Sequence, residues 1–285
     1  MTRTVWIVGL AKDCEDVLLG NVRSLEKLLP DYEHRFVIVE SNSLDGTPEV
    51  IKTLGNHGYN VTSPVVDNSH IEPSAPRTVK MAELRNKYLS EIETEVTDLD
   101  LVVVVDWDLD LTTAKLQPSL DMSTGDVSLT AMSSPRYYDV YALRNRADDH
   151  DYVTEVETAI AEGRNPFSAY LKFLVNNQVA LSQINIPKQV FSAFGGAAIY
   201  PAKHLVNFRY TGAQGQFEFC EHVSLARWLH ERGVRTYIDP SLRVSAPKEH
   251  IRSSNVVIRK IIGFFSVLPP SLGIGIYGVM RRILR

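Results

Sequence analysis

Apolar positions along the chain switch between two periods. Thr4–Leu10 and Arg35–Glu40 are β-branched-rich runs of strand length. Between them Val17, Leu18, Val22, Leu25, Leu28 and Leu29 recur at helical spacing. That order predicts a β-α-β unit with parallel strands. Thr47–Gly55 reads as a short helix stopped by glycine, Tyr59–Val65 as a strand, and Val79–Glu95 as a helix carrying Met81, Leu84, Tyr88 and Ile92 on one face. Asp100–Val105 follows. It is the most apolar β-branched run in the chain, as expected of a central parallel strand buried on both faces. Beyond Asp110 the pattern weakens: Val127–Ser133 predicts a strand, Tyr152–Glu162 and Pro166–Asn176 helices, and the polar stretch Asn145–Asp151 a mobile loop. Phe191–Tyr200, a helix over Phe217–Gly233 and a strand at Thr236–Ile238 complete the globular part. The alternation predicts an α/β fold, a mostly parallel sheet flanked by helices. No linker divides it, so residues 1–253 are expected to form a single domain, with a first half over about 1–110 and a second over about 111–253.

A chain of 285 residues can bury a sizeable core, and its 44% hydrophobic and 22% charged content is that of a globular protein. The net charge of -4 argues against nucleic acid as a partner. Two cysteines, Cys14 and Cys220, make neither a disulfide framework nor a zinc spacing, so a reducing, cytoplasmic compartment is expected. The first apolar run is too short for a secretory signal and meets Lys12 and Asp13 at once. Residues 254–285 differ from the rest. No formal charge falls between Ile261 and Met280, whereas Arg259 and Lys260 precede the stretch and Arg281, Arg282 and Arg285 follow it. A spanning helix needs about 20 apolar residues, and Pro269-Pro270 breaks this run near its middle. One reading is two short helices in peripheral contact with the inner face of a membrane. The other is a tail packed on the protein's own surface, or on a second copy in a homodimer.

The chemistry concentrates where strands end. Val102–Val105 runs into Asp106-Trp107-Asp108-Leu109-Asp110, which places carboxylates at the edge where open α/β sheets bind ligands. Asp106 and Asp108, two apart, fall on one side of an extended chain and suit Mg²⁺ or Mn²⁺ bridging to a diphosphate. The alternative is a solvated strand end, and Asp110 reads as either an outer acid or a helix cap. After the second strand comes Glu40-Ser-Asn42-Ser43-Leu-Asp45-Gly46-Thr47. Asp45 or Thr47 can cap the following helix, while Glu40 stands where an acid can accept hydrogen bonds from a base or ribose. Arg77, Lys80 and Arg85 share a helical spacing from which cations reach phosphates, or simply form a solvated face. Gly195-Gly196 permits close backbone approach or a bulge. Glu218, Glu221 and His222 lie where a helix begins and include candidate metal ligands and proton acceptors, or are simply helix-start acids and a surface histidine.

Taken in order, the acidic turn, the Arg85-Asn86 pair, Asp106-x-Asp108 and Glu221-His222 before a Gly-stopped helix resemble a GT-A (Rossmann-like) glycosyltransferase. More closely, the chain is similar to the capsular α-1,3-mannosyltransferase family first described in encapsulated fungi. Tyr138-Asp139-Val140-Tyr141-Ala142-Leu143-Arg144, Phe194-Gly195-Gly196-x-Ala198-Ile199-Tyr200 and Cys220-Glu221-His222-Val223-x-Leu225 also carry that resemblance, which spans residues 4–245. It implies transfer of a hexose, mannose from GDP-mannose, to a glycan or lipid-linked acceptor. It also implies Mn²⁺ or Mg²⁺ held by Asp106, Asp108 and His222. Glu40, Asn42, Asp45, Arg77, Lys80, Arg85, Asn86, Asp106, Gly195 and Gly196 become the donor contacts, and Glu221, His222 and Asp108 the catalytic set. One position departs from the broader fold: His222 stands where inverting members carry the general-base aspartate. As a base or a metal ligand it would differ in role, and the family favours retention, in which no dedicated base is needed. A nucleotidyltransferase is a rival reading, although Gly9-Leu10-Ala11-Lys12-Asp13 lacks that class's Gly-rich basic loop. The other is an inactive, membrane-associated scaffold, which has no use for acids around an anionic nucleotide.

Overall fold

The β-branched runs become the middle of a nine-stranded sheet. The structure, a computed structural model, describes residues 3–27, 29–64, 66, 72, 74–215, 217–247, 256–274 and 276–277. Its sheet strands are β1 (Thr4–Ala11), β2 (Glu33–Glu40), β3 (Val61–Thr62), β4 (Leu101–Asp106), β5 (Lys115–Leu116), β6 (Val127–Ser134), β7 (Lys188–Val190), β8 (Ala197–Pro201) and, after the small hairpin of β9 (Ala213–Gln214) and β10 (Phe217–Glu218), β11 (Arg235–Ser245). The strand order is β3-β2-β1-β4-β8-β6-β11-β5, with β7 also on β11. β1 to β4 are mutually parallel, β8 is antiparallel to β4 and β6, and β11 is parallel to β6. β5 and β7 run against β11. Six strands therefore point one way and three the other, a mostly parallel sheet.

The pleat sends alternate residues to opposite faces, and each face has its own helices. Val5, Ile7, Phe36, Ile38, Val103 and Val105 pack with Leu18, Val22 and Leu25 of α1 (Glu15–Leu25) and Ile51 and Leu54 of α2 (Thr47–Leu54). On the other face Trp6, Val8, Val37, Val39, Val102 and Val104 meet Tyr88, Leu89 and Ile92 of α3 (Arg77–Ile92) and Leu225 and Leu229 of α7 (Glu221–Glu231). The register sets Leu10 opposite Asp106 and Ala11 opposite Glu40. The acid-bearing ends of β2 and β4 thus share one sheet edge, with β1 between them.

Several expected elements change on folding. Of Tyr59–Val65 only Val61–Thr62 pairs, against β2 at the sheet's edge, and Val65 lies outside the described residues. β11 continues through Pro240 because its register shifts between Asp239 and Arg243, so the missing proline N–H falls at a bulge. Buried Asp239 braces that bulge, accepting from Ser119 N and Ser241 N at 2.8 and 2.9 Å. Beyond α4 (Tyr152–Ala161), the helix expected at Pro166–Asn176 is a compound one: α5 (Pro166–Ala169), a π-turn over Tyr170–Val175, then α6 (Asn176–Ser182). Asn165 caps its start, accepting from Phe167 N and Ser168 N. The Asn145–Asp151 loop is cross-linked rather than free-standing, since Asp149 Oδ2 accepts from Asn145 N and Arg146 N. Asp110 caps no helix; it closes a turn by accepting from Thr112 N and Oγ1.

The tail begins with α8 (Val256–Ser266) and adds a helical turn over 270–274. Among the described residues no helix is long and apolar enough to cross a membrane. Ile262 and Phe265 of α8, together with Tyr277, pack on Phe167 and Tyr170. Arg281, Arg282 and Arg285 lie outside the described residues.

Candidate active site

Continuing the alternation of β4 turns Asp106 towards α3 and buries Trp107 on the opposite face. Arg85 rises from α3 to meet it. Its guanidinium, 2% exposed, sends Nη2 to Asp106 Oδ1 at 3.2 Å and Nε to Glu221 Oε1, on the first turn of α7, at 2.9 Å. One buried cation thus ties the end of β4 to the start of α7. Such charge-assisted pairs fix geometry more firmly than neutral bonds. Arg85 Nη1 has no partner. The guanidinium also lies 5.3 Å from the Phe194 ring centroid, and Phe194 stacks on His222 at 3.8 Å.

These groups face a cavity of about 350 Å³, whose lining includes Arg77, Asp106, Asp108, Asp139, Tyr141, Glu221 and His222. Burial pushes the Asp106 carboxyl up to about 7; Arg85 opposes the shift, and the charges of Asp108 and Asp139 add to it. Burial likewise raises Asp139, against the two backbone N–H groups it accepts from, Gly195 at 3.0 Å and Ala142 at 3.4 Å. His222 is held well below its ordinary value by burial and then by Arg85, so its imidazole is neutral. Both its ring nitrogens are buried without a hydrogen-bond partner. A buried polar atom without a partner calls for an explanation, and a ligand of the cavity that His222 lines is one.

The residues fit a divalent cation in one specific way. Asp106 and Asp108 line the cavity with hard oxygen ligands, and the neutral imidazole of His222 lines it as well. Among the described residues no group of three or more His, Cys, Asp or Glu is close enough to hold a metal by itself. The expected set of Asp106, Asp108 and His222 is therefore not assembled in this structure.

A family model described as cryptococcal mannosyltransferase 1 matches residues 4–226, more than three quarters of the chain. The chain belongs to that family. It is a glycosyltransferase of GT-A fold. No curated protein matches the sequence. Among solved structures, GalNAc-T7 with UDP, GalNAc and Mn²⁺ is 11% identical, covers 86% of this chain and 44% of its own, and superposes with a TM-score of 0.51. The mannosyltransferase PcManGT from Pyrobaculum calidifontis, in complex with GDP-Man and Mn²⁺, is 14% identical over 89% of this chain and 60% of its own, at TM-score 0.46. TarS 1-349 of S. aureus is 12% identical over 95% of this chain and 68% of its own, also at 0.46.

Within this glycosyltransferase the expected site residues divide into three groups. Asp106, Asp108, Arg77, Arg85, Glu221 and His222 converge on the cavity. Glu40, Asn42 and Asp45 share the sheet edge but lie two strands away. Glu40 Oε1 accepts from Ser43 N at 2.6 Å, and Asn42 takes a left-handed φ of 53° that asparagine tolerates. Asp45 does the turn work, accepting from Thr47 N and from Glu15 N at the start of α1, each at 3.0 Å. The third group is turned to the protein itself. Asn86 forms a closed pair with the backbone of Tyr210, at 3.1 and 2.7 Å. Lys80 is absent from the cavity lining. Gly195 and Gly196 have φ of 70° and 89°, and a Cβ at either would strike Ala131 O or Leu109. Their close approach is to protein, and it aims the Gly195 N–H at Asp139. Asp139 and Tyr141 are cavity residues that patterning missed. They sit in an aperiodic segment, and only their membership of the Tyr138–Arg144 match pointed to them.

Proposed function

We propose that the chain transfers a hexose from a nucleotide sugar, with GDP-mannose as donor, to a glycan or lipid-linked acceptor with retention at the anomeric carbon. The observation that carries this reading is the buried Arg85 bridge, which holds Asp106 and Glu221 around a cavity at the ligand-binding edge of a GT-A sheet. Membership of a family described by mannosyltransfer favours mannose over other hexoses.

Asp106 and Asp108 would hold Mn²⁺ or Mg²⁺ and through it the donor diphosphate, and Glu40 would contact the nucleoside. When bound, the metal would offset charge on the departing nucleoside diphosphate. Arg77 at the rim adds a cation for phosphate. His222, neutral and with both nitrogens unpartnered, would donate a hydrogen bond to the diphosphate, or join the metal's ligands once a cation draws the set together. It is poorly matched to general-base work, because a pKa far below neutrality weakens proton abstraction. Glu221 is engaged by Arg85 and Asp139 by two backbone N–H groups. With those carboxylates occupied, retention fits better than inversion.

A thermal-shift panel of GDP-, UDP-, dTDP- and CMP-linked sugars with Mn²⁺ tests the donor. A ligand at about 100 times its dissociation constant stabilises by about 2.7 kcal/mol. GDP-mannose should shift the melting temperature most. A larger shift with another base replaces the donor, and a shift only with nucleoside triphosphate plus sugar phosphate favours nucleotidyl transfer.

A further inference from the structure

The last 36 residues, 250–285, contain six Lys or Arg and no Asp or Glu. With a total of -4, the preceding 249 residues therefore carry -10, so the chain is strongly polarised along its length.

The described part of this segment has two unlike faces. On one, Phe265 packs on Phe167 at 5.3 Å between ring centroids, Tyr277 meets Phe167 edge-on at 5.5 Å, and Ile262 is fully buried. Asn165 Nδ2 donates to Phe265 O at 3.1 Å and to Leu268 O at 2.8 Å, tying down the end of α8. The segment is thus fastened to the body. On the other side Phe264 is 68% and Val267 80% exposed, and Ile261, Leu272 and Ile274 are exposed as well. Ile261 and Phe264 lie three apart on α8, and Val267 follows in the turn just past its end. Large apolar side chains exposed together mark an interaction site.

We propose that this exposed stripe of α8 and the turn after it is a docking surface for an anionic lipid bilayer. Charge decides between the two apolar partners that would cover it. The segment that carries this stripe has six cations and no acid in its sequence, so two copies of it repel each other. An anionic surface instead attracts so basic a segment, and exposed apolar side chains in a basic sequence suit the interfacial region. Because the opposite face is packed on α5 and the π-turn, the contact would fix the orientation of the catalytic domain rather than tether it loosely. The docking stands independently of which sugar is transferred, and its failure would leave that reading intact.

The test is co-sedimentation of the full chain with vesicles of phosphatidylcholine alone or mixed with phosphatidylglycerol, beside the double variant Phe264→Ser, Val267→Ser. Both positions are exposed, so the variant should keep the wild-type melting temperature. Wild type should partition at least tenfold more strongly onto the anionic vesicles, since each Lys or Arg near such a surface adds roughly fivefold. Roughly 0.5 M salt should erase most of that gain. The double variant should lose about tenfold or more, from the apolar area removed. Wild type remaining in the supernatant with anionic vesicles, or a double variant binding as well as wild type, overturns the proposal. So does a light-scattering dimer that the double variant dissolves without any vesicle binding, which would make the stripe a seam between copies.

Discussion

Replacing Arg85 by methionine removes one charge and leaves two carboxylates without it. Glu221 has a side chain 7% exposed and bonds Arg85 at 2.9 Å; Asp106, 26% exposed, is bonded at 3.2 Å. Breaking a buried pair by deleting one partner costs about 3–5 kcal/mol, because the surviving charge stays desolvated. Glu221 should account for most of this, being the better buried of the two. Arg85→Met is therefore expected to lower unfolding free energy by about 3–5 kcal/mol at pH 8, a large part of the roughly 5–15 kcal/mol typical of a folded domain. Adding Glu221→Gln should recover about 1–3 kcal/mol, the coupling typical of residues in one network. The pH dependence has a definite sign. Asp106 already stands at about 7 with Arg85 opposing the rise, so losing Arg85 raises it further above its unfolded value. A raised carboxyl destabilises the fold above its pKa and ceases to do so once protonated. The deficit of the variant must shrink between pH 8 and pH 5.5, as followed by urea denaturation. A deficit under about 1 kcal/mol at pH 8, of the size of a surface pair, would refute the reasoning. So would a deficit that grows on acidification.

Three further outcomes follow from the same geometry. Glu40→Ala should weaken nucleoside diphosphate binding in calorimetry more than it weakens acceptor use; unchanged binding would leave Glu40 only its bond to Ser43. His222→Asn should raise the Mn²⁺ concentration needed for half-maximal activity without altering the pH–rate profile near neutrality, because the wild-type imidazole is already neutral there; a flattened profile at unchanged metal affinity would make it a base. Gly195→Ala should cost about 1–3 kcal/mol from its positive φ alone, with collision against the Ala131 carbonyl adding to that, and a melting temperature within a degree of wild type would contradict it.

Much of the nucleotide half was legible in the sequence because its elements are periodic. The valines of β4, the Leu18/Val22/Leu25 stripe of α1 and the Tyr88/Ile92 stripe of α3 each bury one face or two, and burial is what hydrophobic period encodes. The convergence of Asp106, Asp108, Arg85, Glu221 and His222 could be guessed from strand ends and motif order. Their division of labour could not, because Arg85 meets Glu221 across 136 residues of chain. The second half was harder for local reasons. Pro240 disguised β11, since the bulge that accommodates a proline in a strand is a tertiary feature. Asp139 gave no periodic signal, as its position depends on the Gly195 and Ala142 N–H groups. Asn86 read as a ligand contact because an amide on a helix looks alike whether it binds a substrate or the Tyr210 backbone. Gly195-Gly196 has the same ambiguity, which φ and the nearby Ala131 carbonyl resolve.

The central claim is that Asp106 and Asp108 hold a divalent cation against the donor's diphosphate. Isothermal titration of GDP into the full chain, with Mn²⁺ and then with EDTA, tests it most directly when Asp108→Asn is run alongside. Asp108 is exposed at the cavity's edge, so the substitution should leave the melting temperature unchanged. The account predicts binding by wild type in Mn²⁺, loss of at least tenfold in affinity in EDTA, and the same loss in Asp108→Asn with Mn²⁺ present. Equal affinity for GDP in Mn²⁺ and EDTA, undisturbed in Asp108→Asn, would contradict it.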